Sequence, residues 1–125
     1  MNRTLNREHA MTAVYQNLIL SRDDEELLQD NFSDEERADD PYMVQVVKQA
    51  ILHTNRYHGY IDRVLDDWSF ERLGYVEQSI LLCGCAEFDL KQVEAPVIVN
   101  EYVNLAKKFC EPDSYKLING VLDRI

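Results

Sequence analysis

The sequence has little that would suit a membrane, a secreted scaffold or a flexible linker. No uncharged apolar run approaches the ~18–20 residues that span a bilayer. The opening MNRTLNREHAMTAVYQNLIL is interrupted by Arg, Glu, His, Asn and Gln, so it lacks the apolar block of a signal peptide. A soluble, cytoplasmic protein with no membrane partner is expected. Cysteine is sparse at three residues, an odd number that excludes full internal pairing, and reduced thiols are the simplest reading. Cys83-Gly84-Cys85 looks like a metal fragment, but on a helix i and i+2 point about 200° apart. His53 and His58 diverge by about 140°. Neither pair meets the spacing zinc requires, so no metal site is expected and the thiols read as small buried hydrophobes.

Glycine and proline are also few, four and three in 125 residues, and no repeat or low-complexity linker separates segments. One domain over 1–125 is expected. Basic residues are outnumbered, 13 against 23, for a net charge of −10. Most of that charge is local: SRDDEELLQDNFSDEERADD, residues 21–40, carries −8 by itself, while residues 1–20 carry +1. A segmental excess of acid leaves room for a cationic patch elsewhere.

What is present is helical periodicity. Asp40-Pro41 reads as an N-cap with Pro at the first helical position. From there Met43, Val46, Val47, Ala50, Ile51, Thr54, Tyr57, Ile61, Val64 and Leu65 predict one long amphipathic helix. Residues 4–20 place Leu5, Met11, Val14, Leu18 and Ile19 on a broad face. Residues 75–90 are apolar nearly all round, the mark of a helix in the middle of a fold, with Gly84 admitting a close neighbour. Pro96 opens a helix with Val99, Tyr102, Val103, Ala106 and Phe109 inward. Trp68 to Leu73 predicts a short helix started by Ser69. The acidic stretch has Leu27, Leu28 and Phe32 for one or two short, loosely docked helices. No strand is predicted, and the fold class is all-α, a bundle of six to seven helices.

The last segment, SYKLINGVLDRI, poses a puzzle. Asn119-Gly120 is a strong hairpin signal, yet Leu117, Ile118, Val121, Leu122 and Ile125 have helical spacing. A hairpin would have arms of three residues and no sheet to join, so a helix from Asp113 or Ser114 through Arg124 is expected. A central glycine then costs about 1 kcal/mol against alanine. Two explanations stay open: Gly120 relieves crowding against another helix, or its bare backbone beside Lys116 and Asn119 lets a ligand come close.

Val99 to Ile125, VNEYVNLAKKFCEPDSYKLINGVLDRI, resembles the C-terminal signature of the NusB family of bacterial transcription antitermination factors. That signature has an INEAVELAK-F-G block, an acidic-Ser-x-Lys-Phe block and VNGVLDK. Arg7-Glu8-His9-Ala10 through Val14-Tyr15-Gln16 resembles the family's opening helix. Arg72-Leu73-Gly74-Tyr75-Val76-Glu77 with Ile80-Leu81 and Ala86-Glu87-Phe88 resembles its central one. Only 21–40 lacks a match. Leu82, Ala86 and Cys110 depart from the pattern, where Arg, Tyr and Gly are usual, and these changes are expected to alter the strength and footprint of RNA binding.

The resemblance implies a helical RNA-binding adaptor built as two packed subdomains, with no catalytic chemistry, cofactor or small-molecule substrate. It implies pairing with NusE, a small-subunit ribosomal protein, on boxA RNA of ribosomal RNA operons, within an RNA polymerase antitermination complex. Carried over by residue, Arg3, Arg7, Tyr15, Lys116 and Asn119 are the expected RNA contacts, and Glu77 and Asp113 the expected partner contacts. Arg3, Arg7 and Lys116 would neutralise phosphates. Tyr15 would stack on an unpaired base. Glu77 would face a basic partner, because a carboxylate repels RNA. Plainer readings stand beside these: Tyr15 as a core aromatic, Glu77 as a first-turn carboxylate, Arg3 as a loose terminal residue and Asp113 as an N-cap. The rival function is an acidic, protein-binding adaptor on the same scaffold, with little RNA affinity.

Overall fold

The computed structural model describes residues 1–125. It runs α1 (Arg3–Leu20), α2 (Asp24–Asn31), α3 (Asp34–Asp39), α4 (Pro41–Leu52), α5 (Thr54–Val64), a 3-10 turn (Phe70–Arg72), α6 (Tyr75–Leu90), α7 (Ala95–Phe109) and α8 (Ser114–Arg124). The all-α class stands, with eight α-helices and no strand.

The count exceeds expectation because the predicted helix over 41–65 is two helices. The break falls at His53, whose backbone leaves helical geometry at φ −108°, ψ 26°. The Thr54 hydroxyl donates to the carbonyls of Ala50 and Ile51, 2.8 and 3.0 Å away. Such a side chain competes with the helical ladder and favours a bend. Met43, Val46, Val47 and Ala50 on α4 and Tyr57 and Ile61 on α5 are all sealed from solvent. The apolar stripe thus continues across the bend, which is why periodicity does not register it.

Helix α6 is the central rod. Residues Gln78 to Glu87 are buried without interruption, and α1, α4, α5, α7 and α8 all pack against it. A methyl built on Gly84 would lie 2.9 Å from Leu122 Cδ2, so this glycine admits α8. The core is one apolar cluster drawn from every α-helix except α3. Leu82 and Ala86 are fully buried in it. Neither side chain is therefore exposed to a ligand.

Three further expectations change. Leu27, Leu28 and Phe32 are fully or almost fully buried, so the acidic segment is anchored rather than loosely docked. Its α3 begins with a capping box, in which Ser33 and Glu36 exchange side-chain and backbone hydrogen bonds. Leu5 and Ile19 on α1 are exposed, because Ala10, Met11, Ala13 and Val14 form the buried face. Phe109 points outward as well, 44% exposed, since Ile98, Tyr102, Leu105 and Ala106 carry the inner face of α7.

A polar knot lies inside this core. Glu87, on α6, accepts from Arg7 Nε at 2.8 Å, from the Arg7 terminal nitrogen at 3.0 Å, and from the hydroxyls of Tyr42 and Tyr102. Beside it, buried Asp40 accepts from Arg3 Nε at 2.7 Å and Asn6 Nδ2 at 3.0 Å. Every buried acceptor in the knot is thereby matched, as burial in low dielectric demands.

Candidate RNA and partner interface

The expected site residues do not share one place. Arg7 is the clearest correction. Its side chain is 3% exposed and held by Glu87 and Glu101. Burial works against its charge, but the bonds to Glu87 outweigh that and hold its pKa above the ordinary arginine value. A guanidinium so placed ties α1 to α6 and has no face left for a phosphate. Arg3 is partly exposed, is ordered by Asp40 and sits 4.8 Å from the Tyr42 ring centroid. It is not a loose terminus. It lies twelve residues before Tyr15 on α1, roughly 18 Å at 1.5 Å per residue, so the two cannot serve one small contact.

Tyr15 and Glu77 do come together. They line an open cleft with Tyr75, Phe109, Cys110, Glu111 and Ser114, where α1, the start of α6 and the end of α7 meet. Half-buried Tyr15 forms a wall of that cleft. Glu77 accepts the Gly74 backbone N–H at 2.9 Å, closing the first turn of α6. The first-turn reading therefore holds, and the carboxylate still faces the cleft. Burial and then the charges of Glu77 and Glu111 push the Cys110 thiol up to about 11, so it is neutral at physiological pH.

A second cleft adjoins the first through Glu77, Glu111 and Ser114, and adds Trp68, Arg72, Asp113 and Leu117. Asp113 holds the N-cap position of α8, as expected, but its side chain makes no capping hydrogen bond. It faces Lys116 Nζ at 3.6 Å, and Lys116 is 67% exposed. Asn119 lies elsewhere, in a groove with Pro96, Val99, Asn100 and Leu122.

The sequence reading missed the aromatic and cationic rim. Trp68 and Tyr75 are each 53% exposed. Arg72 lies over the Trp68 ring at 5.4 Å, Lys107 over Tyr115 at 4.9 Å and Lys108 over Phe109 at 5.2 Å. Arg72 and Lys107 make no ion pair, which leaves their charge to solvent. In the sequence Lys107-Lys108-Phe109, and Trp68 and Arg72 four apart, carry this signal, although helical spacing points Phe109 to the core. Glu77, Glu111 and Asp113 thus line the joined clefts together with one cation, Arg72. No cluster of three or more His, Cys, Asp or Glu residues is arranged to hold a metal ion. No helix is long and apolar enough to cross a membrane.

Fold and face together define a small all-helical protein that encloses one apolar rod and presents joined open clefts bordered by aromatic rings and cations. The NusB family model matches residues 4–125. A transcription antitermination protein NusB from Macrococcus caseolyticus is 39% identical over all of this chain and 96% of its own length. One from Helicobacter pylori is 37% identical over 67% of this chain and 61% of its own. Among solved structures, Thermotoga maritima NusB superposes with a TM-score of 0.89 at 23% identity, covering 99% of this chain and 89% of that one. NusB and NusE antitermination factors in complex with double-stranded RNA give 0.83 at 28% identity, covering 97% and 92%. The chain belongs to the NusB family.

Proposed function

We propose that this chain is a non-catalytic RNA-binding adaptor in transcription antitermination, working in the cytoplasm. It pairs with NusE, and the pair takes boxA RNA of ribosomal RNA operons into an RNA polymerase complex. The observation that carries the reading is that one pair of joined clefts is lined by carboxylates and by exposed aromatic rings, with exposed cations nearby. Glu77, Glu111 and Asp113 suit a basic protein surface. Tyr15, Tyr75 and Phe109 in the cleft, with Lys107 over Tyr115 and the exposed Lys116, suit an unstacked strand with its phosphates outward. A relative solved with NusE and double-stranded RNA supports RNA and NusE as the two partners.

The rival reading, a protein adaptor with little RNA affinity, gains from the burial of Arg7 and from the net charge of −10. A titration with boxA RNA, with and without NusE and over several salt concentrations, separates the two. The proposal expects salt-dependent RNA binding that tightens when NusE is present. NusE binding without RNA binding, even near about 50 mM salt, would establish the rival.

A further inference from the structure

Gly120 has no packing reason to be glycine. It lies inside α8, where it costs about 1 kcal/mol against alanine. Its φ is not positive, and a methyl built on it would meet nothing within 4 Å. The crowding explanation therefore fails here, although it holds for Gly84. Gly59 is equally open, but it lines none of the main grooves. Gly120 does line one.

That groove lies between α8 and the loop after α5. Val64, Leu65, Leu117 and Val121 form its apolar floor, and Trp68 closes one side. Asp66 and Asp67 stand exposed along its edge. Arg124 at its far end is committed to the Val64 carbonyl and to Asp66, so it offers little free positive charge. Trp68 and Leu117 also belong to the cleft holding Glu77 and Asp113. The two clefts thus share Trp68 and Leu117, and carboxylates line both of them.

We infer that this groove docks a basic segment of the protein partner, with a Lys or Arg stem lying over the bare Gly120 backbone and the Trp68 ring. The cationic head then meets Asp66 and Asp67. The stem of such a side chain is apolar and its tip charged, which matches an apolar floor with carboxylates at the rim. The half-exposed indole adds a cation–π contact. RNA is disfavoured in this groove because exposed carboxylates repel phosphate. The inference rests on the adaptor reading, since it extends the seat for the NusE-like partner beyond Glu77 and Asp113.

The test measures binding of purified cognate NusE to the wild-type chain, to Gly120→Leu and to Asp66→Asn/Asp67→Asn, with boxA RNA binding by the chain alone measured in parallel. Leucine favours the helix and fills the groove. NusE affinity is expected to fall on the order of tenfold for Gly120→Leu, with no loss in melting temperature and no change in RNA binding. The Asp double variant is expected to lose several-fold in NusE affinity and to flatten its salt dependence. If Gly120→Leu fails to fold, the double variant decides alone. Unchanged NusE affinity in the folded variants overturns the groove and leaves the adaptor reading standing. A fall in RNA affinity with NusE binding intact overturns it in favour of RNA. A wild-type chain that binds no NusE overturns the adaptor reading and this inference with it.

Discussion

Arg7 and Glu87 grip each other through two hydrogen bonds, at 2.8 and 3.0 Å, with both side chains sealed inside the protein. A fully buried pair of this kind contributes little net stability when intact, yet breaking it strands a charge in low dielectric. Arg7→Ala is expected to cost about 3–5 kcal/mol, read from urea denaturation. Arg7→Met with Glu87→Leu is expected to recover part of that loss. The recovery stays incomplete, because the Tyr42 and Tyr102 hydroxyls lose their acceptor. A single-variant cost under about 1 kcal/mol would mean that water reaches Glu87.

The tyrosines predict an alkaline limit. Burial, then the hydrogen bond to Asp89, raises the Tyr57 hydroxyl to about 12. Tyr42 and Tyr102 are raised as well, by burial first and then by Glu87. Each folded pKa stands above the unfolded value of about 10. The stabilisation is therefore complete below pH ~10 and is lost as pH rises through the folded values. Denaturant midpoints are expected to decline from about pH 10, with Tyr57's share spent beyond about 12. Tyr57→Phe is expected to flatten that part of the curve.

Gly84, packed against α8, and Gly120, within it, predict opposite signs. At Gly84 a new methyl lies 2.9 Å from Leu122 Cδ2, and Leu122 is itself buried in the core. Gly84→Ala is expected to destabilise by about 1–3 kcal/mol, less the helix-propensity gain. Gly120→Ala meets open space, and is expected to stabilise by about 0.4–1 kcal/mol. Equilibrium denaturation of both variants checks the contrast. Destabilisation by Gly120→Ala would reveal a packing role that the geometry does not show.

Much of the fold is legible in the sequence because its signals are periodic and redundant. The all-round apolar 75–90 segment and the Asp40-Pro41 start both read directly onto α6 and α4. The break at His53 is not legible, because the apolar stripe continues through it and a threonine hydroxyl signals the bend only in three dimensions. The site is less legible for a related reason. Periodicity ranks a residue by type, so Phe109 reads as core and Arg7 as surface, whereas their partners reverse both. Tyr15 and Glu77, separated by about half the chain, meet in one cleft that no local pattern encodes.

The rim itself carries the last prediction. If phosphates run along the outer edge, the cations there act independently of base identity, and the rings act through stacking. Lys107→Ala and Lys116→Ala are each expected to weaken boxA RNA binding uniformly across sequences and to lower the salt slope by about one. Tyr15→Ala and Tyr75→Ala are expected to cost about 1–3 kcal/mol of RNA affinity with the salt slope unchanged. Arg3→Ala serves as the distant comparison: its guanidinium is engaged by Asp40 and stands far along α1 from this rim. Filter binding or fluorescence anisotropy in the presence of NusE reads all five variants. A larger loss from Arg3→Ala than from the two rim lysines would move the RNA path to the opposite end of α1.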